Sequence, residues 1–161
     1  MGWIPYIERV DDLAPPFGVF VETRNYISEA IYSILGNDEE VAALVSTRIY
    51  PNLLPESATL PVLTYQELTA LRQYVLTGPI GMVRFRFQIN CWASTYADVD
   101  ELSIEVRKAL DGYSGTVENQ YLHFVELIDE SDMMENIAGL DVIKKYGKRL
   151  DFYVWSNELT D

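Results

Sequence analysis

Apolar residues recur at helical spacing in two neighbouring segments that follow residue 24. The first segment runs from Asn25, a residue type that caps helices, to Gly36, a residue type that ends them. At the start of the second segment, Asn37 and Glu40 have the spacing of a reciprocal cap. The apolar stripe that follows this cap consists of Val41, Leu44 and Val45. We therefore expect two short helices in succession.

Alternation of apolar and polar residues predicts the strands. The clearest alternation covers residues 82–92, and its polar face carries Arg84 and Arg86. That face is either solvated or covered by the carboxylates of a partner. Three other strands are predicted over residues 61–68, 121–128 and 148–155. A hairpin turn is predicted at residues 77–81, which include two glycines and a proline.

A third helix is predicted between the strands, at residues 97–110. Ser94 or Thr95 is its expected cap, an apolar stripe runs along one side, and Asp111-Gly112 ends it. The order of elements predicts an α+β fold. In this fold, a single-domain sandwich, helices pack on one face of a mostly antiparallel four-stranded sheet. The single domain is expected to span residues 25–161.

The first 24 residues show neither helical nor strand periodicity and predict an extended N-terminal arm. Pro5 and the pair Pro15-Pro16 interrupt any regular structure there. The arm carries more apolar residues than a solvated linker tolerates, so we expect it to pack on its own domain or on a neighbouring subunit. Its candidate interface residues are Trp3, Ile4, Phe17 and Phe20.

The chain is strongly acidic, with 12 Lys and Arg against 25 Asp and Glu and a formal net charge of −13 over 161 residues. Sequence-independent binding of nucleic acids requires clustered basic residues that neutralise phosphates, so the charge argues against it. Solubility alone explains the acidity equally well. Because the chain shows neither the roughly 18 apolar residues of a membrane span nor a secretory signal, we expect no membrane contact and no export from the cytoplasm.

Few residues are available for catalysis or for binding a cofactor. The chain has one histidine, His123, and one cysteine, Cys91, which argues against a histidine-based triad, a zinc site or an internal disulfide. Cys91 falls on the apolar face of its predicted strand, where a thiol is inert. The acidic stretch at residues 126–141 predicts a projecting loop or a short helix, without the pattern of a calcium loop. We expect no cofactor and no metal, and only a carboxylate-based hydrolase survives as an enzyme candidate.

A series of motifs runs through the chain from residue 26 to residue 156. It consists of Arg48-Ile49-Tyr50-Pro51, the segment from Leu54-Pro55-Glu56 to Pro61-Val62-Leu63-Thr64-Tyr65, the strand from Val83 to Cys91-Trp92-Ala93, the helix start Ser94-Thr95-Tyr96-Ala97-Asp98, and Arg149-Leu150-Asp151-Phe152-Tyr153-Val154. In this order the motifs resemble the tail-terminator, or tail-completion, proteins of long-tailed bacteriophages, which are similar to minor tail protein U.

The resemblance implies a structural virion protein without an active site. Its subunits are expected to form a ring, usually hexameric, that caps the finished tail tube and presents a surface to the head connector. The partners implied are other copies of the chain, the tail tube protein and the connector or stopper protein. The resemblance places the chain and these partners in the tail-neck region of a virion that is assembled in the host cytoplasm. DNA is expected to pass through the ring without tight binding, which an acidic lining favours.

Within such a ring, Arg84 and Arg86 are candidate interface residues, because each can meet the acidic stretch of a neighbouring subunit. An ordinary solvated strand face is the alternative for these two residues. Two other functions stay open: a neck component or head-tail adaptor, and a monomeric protein-binding module. A discrete high-order oligomer would favour the ring over the binding module.

Overall fold

The computed structural model describes residues 26–136 and 143–157. The predicted arm at residues 1–24 lies outside the described residues, together with its candidates Trp3, Ile4, Phe17 and Phe20. The three predicted helices are confirmed as α1 (Tyr26–Asn37), α2 (Glu39–Val45) and α3 (Tyr96–Leu110). The strands are β1 (Ile49–Pro51), β2 (Val62–Val75), β3 (Gly78–Ala93), β4 (Gly115–Val117), β5 (Gln120–Asn136) and β6 (Ile143–Asn157).

Side-chain caps fix where two of the helices begin. The Thr95 hydroxyl accepts a hydrogen bond from the Asp98 amide at 3.1 Å, which confirms Thr95 as the cap of α3. At α2 the cap is Asp38, whose carboxylate accepts hydrogen bonds from two amides of the first turn, each at 3.0 Å. The predicted Asn37 cap is wrong by one residue, because Asn37 is the last residue of α1.

The six strands form one mixed sheet in the order β1-β2-β3-β6-β5-β4, curved into a half-barrel. β1 runs parallel to β2, and the other neighbouring pairs are antiparallel. The predicted sandwich with a mostly antiparallel four-stranded sheet is therefore wrong. The two strands that it omitted, β1 and β4, have three residues each, too few for an alternating pattern to show in the sequence.

The four predicted strands are present, but they are longer than the sequence indicated. β2 continues past its predicted end at Leu68 as far as Val75. β5 continues past Ile128 as far as Asn136, so the first part of the acidic stretch is strand rather than the predicted loop or short helix. The rest of that stretch, residues 137–141, lies outside the described residues. β5 and β6 therefore form the longest antiparallel pairing of the sheet.

One face of the sheet packs against the helices and forms the core. Phe87 of β3 and Phe152 of β6 lie opposite each other and are fully buried, in one cluster with Leu35 of α1 and Leu102 of α3. Burying a side chain of this size stabilises a fold by about 1.5–3 kcal/mol. Cys91 lies in the same cluster and is buried, as the alternation predicted. The alternate residues of β3 and β6 point to the opposite side of the sheet.

Candidate functional site

The face of β3 and β6 that points away from the helices carries polar and aromatic residues, and we call it the open face. It consists of Arg84, Arg86, Gln88, Asn90 and Trp92 on β3 and of Arg149, Asp151, Tyr153 and Trp155 on β6. Strand alternation produces this face, because the residues between them fill the core. The prediction that Arg84 and Arg86 share one face is confirmed.

Arg86 is paired with a carboxylate of its own chain. Its Nη2 lies 2.6 Å from Oδ2 of Asp151, whose side chain is 3% exposed against 39% for Arg86. The hydrogen bond to Asp151 raises the pKa of the Arg86 guanidinium. Nε of Arg149 approaches the other carboxylate oxygen of Asp151 to 4.0 Å. Two guanidinium groups therefore surround one buried carboxylate on the open face.

Arg84 lies over two aromatic rings of β6. Its guanidinium carbon is 4.1 Å from the centre of the Tyr153 ring and 5.6 Å from the centre of the Trp155 ring. A cation at such distances is attracted by the negative face of the ring. Since both arginines already have partners within the chain, their role at a subunit interface stays a prediction.

A buried lysine joins α3 to the acidic part of β5. Lys148 is 8% exposed, and its Nζ lies 3.0 Å from a carboxylate oxygen of Asp100 in α3. In β5, carboxylate oxygens of Asp132 and Glu130 lie 3.5 Å and 3.9 Å from the same Nζ. Burial lowers the pKa of Lys148, but the hydrogen bond to Asp100 and the nearby carboxylates raise it by more. Part of the acidic stretch therefore binds a cation of its own chain.

His123 and Cys91, the residues with the most reactive side chains, have ordinary structural surroundings. Nε2 of His123 lies 3.0 Å from Oδ1 of Asn157, and its ring meets the edge of the Tyr121 ring. Burial raises the pKa of the Cys91 thiol, which keeps the nucleophilic thiolate scarce at neutral pH. Within residues 26–136 and 143–157, no three His, Cys, Asp or Glu side chains are grouped so as to hold a metal ion.

An α-helix that crosses a membrane requires about 20 predominantly apolar residues. Among the helices that the structure describes, none is both long and apolar enough to cross a membrane.

The end of the hairpin formed by β2 and β3 exposes a set of apolar side chains that the sequence alone did not reveal as a site. Of the twelve large hydrophobic side chains exposed in the described part of the chain, six lie between residues 68 and 80. We call this segment the apolar hairpin, and the six residues are Leu68, Leu71, Tyr74, Val75, Leu76 and Ile80. Exposed apolar side chains that are grouped in one segment make this segment a candidate site of contact with another molecule.

Local structure explains why these side chains are exposed. β2 and β3 pair as far as Val75 and Gly78, so the predicted hairpin is present. Its turn consists of residues 76–77, and the predicted turn at residues 77–81 is misplaced, because residues 78–81 already belong to β3. Gly78 has a φ of +132°, a conformation that favours glycine. β6 pairs with β3 only from Met82 onward, so the end of the hairpin extends past it. One signal of this exposure is present in the sequence, namely the uninterrupted apolar run at residues 74–76. Consecutive strand residues point to opposite faces of a sheet, so the side chains of such a run cannot all reach one core.

The family model of the tail completion protein gp17 matches residues 29–142, well over half of the chain. The chain therefore belongs to the tail completion protein gp17 family, as the order of its motifs indicated, and it is a structural protein of the bacteriophage virion tail.

Among solved structures, the chain is similar to a chain from the virion of a native gene transfer agent particle. The TM-score is 0.69 at 18% sequence identity, and the match covers 84% of this chain and 97% of that chain. A likeness at this level of identity shows that the two chains share a fold. No curated protein matches the sequence.

Proposed function

We propose that the chain is a ring-forming subunit of a tail terminator, which caps the tail tube and joins it to the head connector. The observation that carries the proposal is the apolar hairpin, on a chain that belongs to a tail completion family. Moving apolar surface out of water favours association by roughly 25 cal/mol per Å². Contact between the apolar hairpin and a neighbouring subunit therefore supplies a driving force for assembly.

In this proposal the hairpin of one subunit contacts a different surface of its neighbour, which makes the contact heterologous. Such heterologous contacts close into rings when the rotation between subunits permits it. A ring of six subunits has a mass of about 110 kDa, six times the 18.4 kDa of one chain. Tail completion proteins act where the tube ends, and a ring matches the circular end of a tube.

The acidity of the chain suits a ring through which DNA passes. A net charge of −13 repels phosphate groups within about a Debye length, roughly 8–10 Å at physiological salt. The basic clusters required for tight DNA binding would retard the passage of DNA instead. In this proposal, DNA therefore moves through the ring without being held by it.

Mass measurement by light scattering coupled to size exclusion, at several protein concentrations, tests the ring and its hairpin contact. We expect a discrete species of about 110 kDa for the natural chain. A chain carrying both Tyr74→Ser and Leu76→Ser is expected to shift to the 18.4 kDa monomer, because two of the most exposed apolar side chains are lost. Circular dichroism checks that this variant retains its fold.

Leu53→Ser is the matched control for the hairpin variant. Leu53 is 82% exposed but lies outside the apolar hairpin, so this change should leave the oligomer intact. A natural chain that stays monomeric at every concentration would contradict the self-assembling ring and favour a head-tail adaptor or a binding module. An unchanged oligomer in the hairpin variant would retain the ring but remove the hairpin from its interface.

A further inference from the structure

The two strands that lie next to the ends of the sheet are each covered over only part of their length. β1 pairs with β2 at residues 63–65, and β4 pairs with β5 at residues 120–122. Further hydrogen bonds cover the outer side of β5 as far as Leu127, whose amide donates to Asp111. Within the described part of the chain, residues 66–75 of β2 and residues 128–136 of β5 have no strand on their outer side.

We call residues 66–75 the β2 edge and residues 128–136 the β5 edge. An unpaired strand edge presents a row of amide and carbonyl groups that bind another strand. We propose that the β2 edge of one subunit pairs with the β5 edge of a second copy of this chain, so that the sheets join around the ring. This inference rests on the proposed ring and names the contact that closes it.

The directions of the strands allow this pairing. Successive strands in the order β2-β3-β6-β5 are antiparallel, so β2 and β5 run in opposite directions within one subunit. Rotation about a ring axis does not reverse a strand. The β5 edge of the next copy therefore meets the β2 edge antiparallel, and the alternation of the sheet continues across the contact.

The positions of the two edges allow a closed ring. The β2 edge ends at the hairpin turn, near the end of β6, whereas the β5 edge ends near the start of β6. Joining the two edges offsets successive sheets along the strand direction. A closed barrel of strands requires such a stagger, together with tilted strands. β1 and β4 lie beside the other halves of β2 and β5, so they do not block the contact.

The charges of the edges favour contact between unlike edges. The β5 edge contains Asp129, Glu130, Asp132 and Glu135 and no basic residue, whereas the β2 edge contains one Glu and one Arg. Like charges placed opposite each other on neighbouring strands are destabilising. Two β5 edges therefore repel each other. The β2 edge has no net charge, so it is the better partner for a β5 edge.

Outward-facing amides identify where a proline would block the β2 edge. Leu63 and Tyr65 form backbone hydrogen bonds with the chain outside β2, so odd-numbered residues face outward there. A bulge after Glu67 shifts this alternation by one residue, so the amide of Ala70 faces outward. A proline at Ala70 removes that donor without breaking a hydrogen bond between β2 and β3.

The same argument identifies a position on the β5 edge. Val125 and Leu127 form hydrogen bonds on the outer side of β5. The bulge after Leu127 shifts the alternation, so the amide of Met134 faces outward. Met134 is 68% exposed, so a change of its side chain alone should leave the fold intact.

Two proline variants, measured by light scattering separately and as a mixture, test the pairing. We expect Ala70→Pro and Met134→Pro each to weaken assembly roughly tenfold or more, because each lacks one pairing edge. The controls Ala70→Ser and Met134→Ser retain the amide and should assemble like the natural chain. Mixed in equal amounts, the two proline variants should form a dimer, since each supplies the edge that the other lacks.

If another segment or another edge pairs with the β2 edge or the β5 edge, the proline variants should assemble differently. Pairing between two β2 edges would leave Met134→Pro fully assembled and would yield no mixed dimer. Coverage of the β2 edge by the first 25 residues would leave Ala70→Pro fully assembled. Normal assembly of both proline variants overturns the edge pairing but retains the ring. A natural chain that never assembles overturns the ring itself.

Hydrogen exchange on the natural chain supports the test without any variant that might lose its fold. The amides of Ala70 and Met134 should exchange at least tenfold more slowly in the oligomer than in the diluted monomer, because they donate across the contact. Equal exchange rates in the two states would overturn the pairing.

Discussion

Strand β3 passes through two regions that use apolar residues in opposite ways. In the central region β3 lies between β2 and β6, and Phe87 and Cys91 are fully buried against the helices. In the distal region the strand extends past β6, and Ile80 and Leu76 of the apolar hairpin are 55% and 107% exposed. Residues of similar hydrophobicity thus fill the core at one end of the hairpin and cover its surface at the other.

The difference lies in what covers each region. In the central region even a charged residue is enclosed, since the Asp151 side chain is only 3% exposed beside Arg86. In the distal region, no helix or strand of the described chain covers the apolar side chains beyond Met82. The central region therefore stabilises the subunit, and the distal region is available for contacts between subunits. Stability and assembly should respond to different substitutions.

Removal of a core side chain has the largest expected effect on stability. Phe87→Ala should lower the free energy of unfolding by about 3–5 kcal/mol, because it leaves a cavity between β3, β6 and the helices. Urea denaturation measures this loss. The matched change in the distal region is Ile80→Ala, at a residue that is 55% exposed, and it should change the free energy by less than about 0.5 kcal/mol. Similar losses at both positions would contradict the division into two regions.

The ion pair on the open face has an intermediate expected effect. Asp151→Asn keeps the shape of the side chain but removes the charge that Arg86 and Arg149 share, and should destabilise the fold by about 1–2 kcal/mol. The smaller value is favoured because solvent reaches Arg86, which is 39% exposed.

A double-mutant cycle separates this ion pair from other effects of Asp151→Asn. With Arg86→Gln already present, the change at Asp151 should cost less, since the main partner of the carboxylate is gone. Fully additive losses in thermal or urea unfolding would show that the pair contributes nothing to the central region.

Bulges explain why the sequence predicted the existence of the strands but not their length. The predicted end of β2 at Leu68 falls at the bulge that follows Glu67, and the predicted end of β5 at Ile128 falls at the bulge that follows Leu127. A bulge inserts one residue and shifts the side-chain alternation by one position. The periodic pattern therefore breaks where the strand continues. Most of the β2 edge and of the β5 edge lies beyond these bulges, so the sequence pattern did not reveal them.

Signals between residues close in sequence were sufficient to predict the helices. The ion pairs of the open face depend on residues that are far apart in the sequence, so they could not be predicted in this way. The Thr95 cap of α3 lies three residues from the amide that it binds, so the sequence predicted it. Asp151, the partner of Arg86, is 65 residues away along the chain. Alternation predicted the face on which Arg86 lies, but only the pairing of β3 with β6 brings the two residues together.

The reactivity of a thiol in each region compares the central and distal regions, and the substitution that it requires has the smallest expected effect on stability. Burial raises the pKa of the Cys91 thiol, so a thiol reagent at pH 8 should modify it only after unfolding. In Leu76→Cys, the new thiol replaces a fully exposed side chain and should react rapidly in the monomer. The free energy of unfolding should stay within about 0.5 kcal/mol of that of the natural chain.

The same variant then reports on assembly. If the apolar hairpin lies at the contact between subunits, the thiol in Leu76→Cys should react at least tenfold more slowly in the oligomer than in the diluted monomer, because the neighbouring subunit covers it. Cys91 serves as the internal control, since its core position makes its slow reaction independent of assembly. Equal reactivity of the hairpin thiol in both states would mean that the distal region faces solvent in the ring. The exposed apolar side chains would then be available for the tail tube or the connector.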